Sequence, residues 1–208
     1  MPDPDQNARL RSAIQVAKAA SFPRENIERA IKKSSDKAMD SFEEIRYEGF
    51  GPAGTSIIVE ALTDNRNRSA ADVRAIFQKN GGSFAESGSV SHQFIRYGFL
   101  KYPSTISSQD DFFSSAIEAG AEDCLFEDDC FEALCLPENL SIFYSSLETI
   151  FSEPESSGFL WKPSSLVEVT GEKVKTLFNL LDELDDNEDV QSVFSNYDVS
   201  EEDISSLA

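Results

Sequence analysis

The sequence predicts an α+β protein in which a small helical domain precedes two α+β domains, the third inserted in the second. Three observations carry this expectation. Apolar residues recur at helical spacing in two short segments at the front of the chain. Two strand-like runs, Phe42–Phe50 and Thr55–Thr63, flank the turn signal Gly51-Pro52-Ala53-Gly54. Beyond Tyr97 the pattern changes to the order βαββαβ, that of a ferredoxin-like unit. The expected domains are therefore 1–39, helical; 40–96 with 164–208, a discontinuous α+β domain; and 97–163, the inserted unit.

In chain order, Leu10, Ala13, Ile14 and Ala17 mark one face of a helix over about Ala8–Ala20, with Arg9, Arg11 and Lys18 off that face. Ser21-Phe22-Pro23 breaks and restarts the chain, since proline suits a first helical turn. A second helix follows with Ile27, Ala30 and Ile31 inward. Two short amphipathic helices bury too little apolar area to stand alone, so they pack on something else or belong to a larger helical unit.

The stretch Thr63–Val90 organises the middle of the chain. Ser69 with Asp72 three positions on makes a capping box and is the expected N-cap, with Asn67 as the alternative. Val73, Ile76 and Phe77 share one helical face, and Asn80-Gly81-Gly82 supplies a left-handed stop. On that placement Arg66 and Arg68 lie just ahead of a helix N-terminus, where free N–H groups and the helix dipole favour an anion such as phosphate. The plainer alternative is that both pair with Asp64, Asp72 or another surface carboxylate. Ser89–Arg96 alternates as a strand with Val90, His92, Phe94 and Arg96 on one side. His92, the sole histidine, reads as structural.

The ferredoxin-like order consists of strands Phe99–Tyr102, Asp123–Phe126, Cys130–Leu136 and Phe159–Trp161, with helices Asp110–Ala119 and Leu140–Phe151. A strand Leu166–Thr170, a helix from Glu172 to about Leu184 and a strand Val190–Phe194 complete the chain. Those strands make too small a sheet alone, so the tail is expected to return to the sheet begun at Phe42.

With 18 Lys+Arg against 38 Asp+Glu, the net charge of −20 taken whole argues against a nucleic-acid binder. The total conceals a split. Residues 1–103 hold 15 basic against 13 acidic residues, residues 104–208 only 3 against 25, and Ala8–Lys37 is basic at 8 against 3. A polyanion would have to meet the first half. The candidate phosphate contacts are Arg9, Arg11, Lys18, Arg24, Arg29, Lys32 and Lys33, with Arg66 and Arg68 as a second set. A solvated cationic face remains the commoner meaning of such a run. Across 97–163 the balance is 2 against 13. That unit shares the topology of an RNA-recognition motif, and Tyr97–Tyr102 faintly resembles its aromatic strand, but a phosphate backbone would be repelled there. Phe112, Phe126, Phe131, Phe143 and Trp161 then read as core, with a face for a partner protein as the second option.

No catalytic constellation is present. The sequence has no Gly-rich phosphate loop, no strand-bound dinucleotide fingerprint and no nucleophile elbow, and one histidine leaves little scope for a triad or a multi-histidine metal site. A non-enzymatic protein without cofactor or metal is expected. The acidic run Asp182–Asp189 lacks the spacing of a calcium loop and reads as a solvated helix end. Cys124, Cys130 and Cys135 form neither a zinc ladder nor an even disulfide set, and read as reduced thiols, mostly core, in a cytoplasmic protein. No apolar run approaches a membrane span and the opening MPDPDQ lacks the features of a signal peptide, so no membrane contact is expected.

The run NARLRSAIQVAKAASFPRENIERAIKK, then YEGFGPAG, EALTDNRNRSAADVR, FQKNGG and ESGSV, resembles the YebC/PmpR family of probable transcriptional regulators, which includes mitochondrial translational activators. The resemblance covers Asn7 to Phe94 closely and the tail through DVQSVFSNYD more loosely. It implies three domains with the third inserted in the second, DNA binding with transcription regulation, and in some members ribosome association; no enzymatic activity is implied. Family members usually begin with a basic segment ahead of the position of Asn7, where this chain has MPDPDQ. Either the sequence is shortened, its start codon is misassigned, or this member lacks the arm; in each case weaker direct phosphate binding is expected. DNA is the expected partner, rRNA on the ribosome the alternative, and a protein at the acidic domain a further one.

Overall fold

The computed structural model describes residues 22–36 and 42–205, and of the preceding segment Leu10, Ala13, Ile14, Ala17 and Lys18. Those five are helical; the rest of the helix expected over 8–20, with Arg9 and Arg11, lies outside the described residues. Helix α1 (Arg24–Asp36) opens directly after Pro23, whose carbonyl accepts the amides of Asn26 and Ile27 at 2.9 and 3.2 Å. Ile27 and Ile31 are half-buried, whereas Ala30 is exposed, so the inward stripe is a narrower i, i+4 pair than expected.

The chain divides into two compact units, Met1–Ala38 with Arg96–Leu160 and Met39–Ile95 with Trp161–Ala208. In the second unit β1 (Glu43–Phe50) and β2 (Ser56–Thr63) form the expected hairpin, antiparallel from Glu43↔Thr63 to Phe50↔Ser56. Short β3 (Ser83–Ala85) pairs with the last three residues of β1, and β9 (Val190–Ser195) adds to the far side of β2, giving the order β3-β1-β2-β9. Helices α2 (Arg66–Lys79) and α5 (Glu172–Asp185) bury Val73, Phe77, Val174, Leu177 and Leu180 against Tyr47, Ile57 and Val59 of the sheet. The fit is tight at Gly49, where a Cβ would stand 2.5 Å from the Phe77 ring. The opposite face holds a smaller cluster of Ile58, Val90 and Phe94, with Trp161 against it.

Two strands differ from expectation. Ser91–Gln93 is a 3-10 turn that leaves His92 exposed, and β4 begins only at Phe94 and runs to Pro103, so of the strand expected over 89–96 only the last three residues are strand. The reason lies in the amides of Val90 and Ser91, which turn away to a buried carboxylate instead of a neighbouring strand. In the tail, β8 is only Val167–Glu168 and pairs in parallel with β10 (Tyr197–Asp198), not with the four-stranded sheet. A short α6 (Glu201–Ser205) follows.

The other unit carries β4, α3 (Gln109–Glu118), β5 (Asp123–Glu127), β6 (Cys130–Cys135), α4 (Leu140–Phe151) and β7 (Ser156–Pro163), in sheet order β5-β6-β4-β7. That order, with the first and third strands central, is the ferredoxin-like arrangement. Phe112 stacks on Phe131 at 4.6 Å, over Leu100, Tyr102, Phe143 and Leu147. Phe126 is no core residue: on edge strand β5 it is 43% exposed, with the Phe131 ring 5.1 Å away. Trp161 falls in the other unit. The three thiols are free; Cys135 is buried, which pushes its pKa up to about 11, while Cys124 and Cys130 are half-buried.

Candidate nucleic-acid interface

Helix α2 starts one turn earlier than its sequence suggests. The N-cap is Asn65, not Ser69 or Asn67: its Oδ1 accepts the amide of Arg68 at 3.1 Å, and its own amide is held by Thr63 Oγ1 at 3.0 Å. Ser69 is instead inside the helix, buried, with its hydroxyl unpartnered. At the other end the expected stop is present: Gly81 is left-handed at φ 70°, and the amides of Gly82 and Gly81 return to the carbonyls of Phe77 and Gln78.

Arg66 and Arg68 consequently lie within the first turn, not ahead of it. Two residues apart on a helix means opposite sides, so they do not form one contact. Arg68 turns to carboxylates, with its Nη2 2.9 Å from Asp64 and 3.1 Å from both oxygens of Asp189. Asp189 also accepts the Thr63 hydroxyl at 3.0 Å, and Glu183 takes Lys79 at 2.7 Å. Part of the acidic run 182–189 is therefore engaged with α2 and is not merely a solvated helix end.

Arg66 turns the other way, to an open groove of about 420 Å³ between α2, β1, β3 and the loop that follows β3. Ala70 and Arg74, at i+4 and i+8, continue the same wall. The Arg74 guanidinium lies 4.8 Å over the Phe84 ring, and Tyr47, 5.7 Å from Phe84, donates its hydroxyl hydrogen to the Arg66 carbonyl at 3.4 Å. Because β3 pairs only with Glu48–Phe50, the edge of β1 at Ile45–Tyr47 borders the groove without a strand partner. Among the described residues no carboxylate pairs with Arg66 or Arg74.

Behind β1 stands a different device. Glu48 is 1% exposed, and its Oε2 accepts the amides of Val90 and Ser91 at 2.8 and 3.0 Å. Burial pushes its pKa up, but those amides, that of Gly88 and the Arg46 charge outweigh burial and hold it below the usual carboxylate value. Arg46 Nε is 3.2 Å from Glu48 Oε1 and its guanidinium lies 5.1 Å over Trp161, whose indole N–H donates to Glu60 at 2.9 Å. This face anchors the loop that shapes the groove.

Of the other sequence candidates, Lys18 and Arg29 are exposed without a carboxylate partner among the described residues, and Arg24 is exposed but paired with Glu28 at 2.7 Å. Lys32 and Lys33 belong to the later turns of α1; Arg9 and Arg11 lie outside the described residues. The structure joins Arg66 to Arg74 and Phe84, neither of which the sequence reading singled out. The available signal was the spacing Arg66, Ala70, Arg74. Among the described residues no cluster of His, Cys, Asp or Glu is placed to hold a metal, and no helix is long and apolar enough to cross a membrane.

Residues 42–197 match the family described as TACO1/YebC second and third domain, and residues 1–37 that described as TACO1/YebC protein N-terminal domain. The chain is 46% identical, over 99% of its length and 84% of the relative's, to a probable transcriptional regulatory protein of Maricaulis maris (strain MCS10). A crystal structure of a conserved hypothetical protein from Aquifex aeolicus has the same fold, with a TM-score of 0.83 and 40% identity over 96% of this chain and 83% of that one.

Proposed function

The chain belongs to the TACO1/YebC family, and from that membership we propose that it is a non-enzymatic, cytoplasmic transcriptional regulator that engages DNA through its cationic front. The name of the Maricaulis relative supports the regulatory half of this reading. Charge segregation supports the other half: Ala8–Lys37 holds 8 basic against 3 acidic residues, while residues 104–208 hold 3 against 25 and would be repelled by phosphate. Arg9, Arg11, Lys18, Arg24, Arg29, Lys32 and Lys33 supply the contacts, and Arg66 adds a second one. Arg68 joins only by exchanging Asp64 and Asp189 for phosphate, which makes it the weakest member of the set.

The test is a gel shift on promoter DNA across a salt series. About five phosphate contacts give a slope of log K against log salt of about −4 to −5. A flat dependence at measurable affinity overturns the electrostatic mechanism. The acidity of 97–163 favours a second reading, a translation factor on the ribosome, where rRNA meets the basic helices and basic ribosomal protein meets the acidic unit. Co-sedimentation with ribosomes, without binding to promoter DNA, selects it. Two blanks with a successful pull-down through the acidic unit select a protein-interaction adaptor instead.

A further inference from the structure

We propose that the groove beside α2 is a binding site for nucleotides of a single strand, RNA or DNA, with a phosphate at Arg66 and a base lying on the Arg74 guanidinium. The inference deepens the proposed function and rests on its nucleic-acid reading, but it concerns a different surface from the basic front. Three features converge. Arg66, on the first turn of α2, adds its charge to the positive end of the helix dipole, the natural place for a phosphate. The Arg74 guanidinium stands over the Phe84 ring, its Cζ 4.8 Å from the centroid, and both residues line the groove, where a planar cation held against an aromatic can serve as a stacking platform for a base. The backbone edge of Ile45–Tyr47 offers hydrogen-bonding groups to the rim of a base.

Arg66 and Arg74 are eight residues apart, about 12 Å along the helix, so phosphate and platform serve neighbouring units of a chain better than one compact anion. A groove of about 420 Å³ admits an unpaired base, whereas a base inside a duplex has no free face to stack. Glu86 on the loop side discourages a second phosphate there and leaves Arg66 as the phosphate end.

The experiment uses the full chain with fluorescein-labelled U8, T8, a duplex of the same length and inorganic polyphosphate as a base-free polyanion. Both arginines are exposed and Arg66 packs through its carbonyl, so Arg66→Ala and Arg74→Ala keep the fold, which a thermal melt checks. Expected are a loss of about tenfold for single strands with Arg74→Ala and a salt slope smaller by about 1 with Arg66→Ala. Duplex and polyphosphate binding stay unchanged with Arg74→Ala, whereas Arg66→Ala weakens both by the one phosphate contact it supplies. Arg74→Lys, which keeps the charge and loses the plane, falls with Arg74→Ala. Stronger binding of U8 than T8 assigns RNA, and equal binding assigns either chemistry; both support the site. Full recovery by lysine, an equal loss for polyphosphate with Arg74→Ala, or no loss in either alanine variant overturns the groove while leaving the basic front standing. Failure of the unmodified protein to bind any of the four probes overturns the proposed function together with the groove.

Discussion

At the scale of single residues, position on an element outweighs residue type. Arg66 and Arg68 are the same side chain two positions apart, yet one borders an open groove and the other is held by Asp64 and Asp189. Glu48 makes the same point for a carboxylate: Glu43 and Glu44 on the same strand are exposed, whereas Glu48 is buried under three backbone amides. Its folded pKa lies below the unfolded value of about 4.3. The stabilisation it gives is therefore complete above that value and lost as pH falls through the lower folded one. Glu48→Gln is expected to cost about 1.5–3 kcal/mol at neutral pH. Urea unfolding at a series of pH values checks this, and the gap between the two proteins should close in acid. A gap that persists undiminished below the folded pKa means the charge is not what holds the loop.

At the scale of elements, α2 was legible in its apolar face and its glycine stop but not in its first turn. The pattern Ser69-x-x-Asp72 is a sound capping box in isolation. Thr63, however, fixes Asn65 from the end of β2, and the helix begins where that anchor allows, one turn upstream. The energetic consequence separates the two serviceable caps. Asn65→Ala should cost about 1 kcal/mol through loss of the bond to the Arg68 amide. Ser69→Ala should cost nothing or stabilise slightly, since its buried hydroxyl has no partner to lose. Chemical denaturation of the two variants side by side decides it; the reverse order would place the cap at Ser69 in solution. The same limit applied to 89–96, where alternation suggested a strand and a distant carboxylate had captured the amides.

At the scale of the whole molecule the governing quantity is charge. A net charge of −20, concentrated as 3 basic against 25 acidic residues in 104–208, repels itself. Raising NaCl from low to near-physiological ionic strength should raise Tm by about 2–4 °C, roughly 1 kcal/mol for a chain of this size. The same salt should weaken binding to DNA, so the two responses have opposite signs. A fall in Tm would show that attractive pairs such as Lys79 with Glu183 outweigh the repulsion.

The linear sequence determined the α+β class, the hairpin at Gly51–Gly54, the βαββαβ order and the separation of basic from acidic segments. Hydrophobic period, turn chemistry and charge are local properties and survive being read one residue at a time. Only the tertiary structure decided which arginines stay available, where α2 begins, and that Arg74, Phe84 and the edge of β1 share a groove. Those outcomes rest on contacts that the local pattern does not encode, and for the two arginines of the first turn the partners are far off: Tyr47, 19 positions from the Arg66 carbonyl it binds, and Asp189, 121 positions from Arg68.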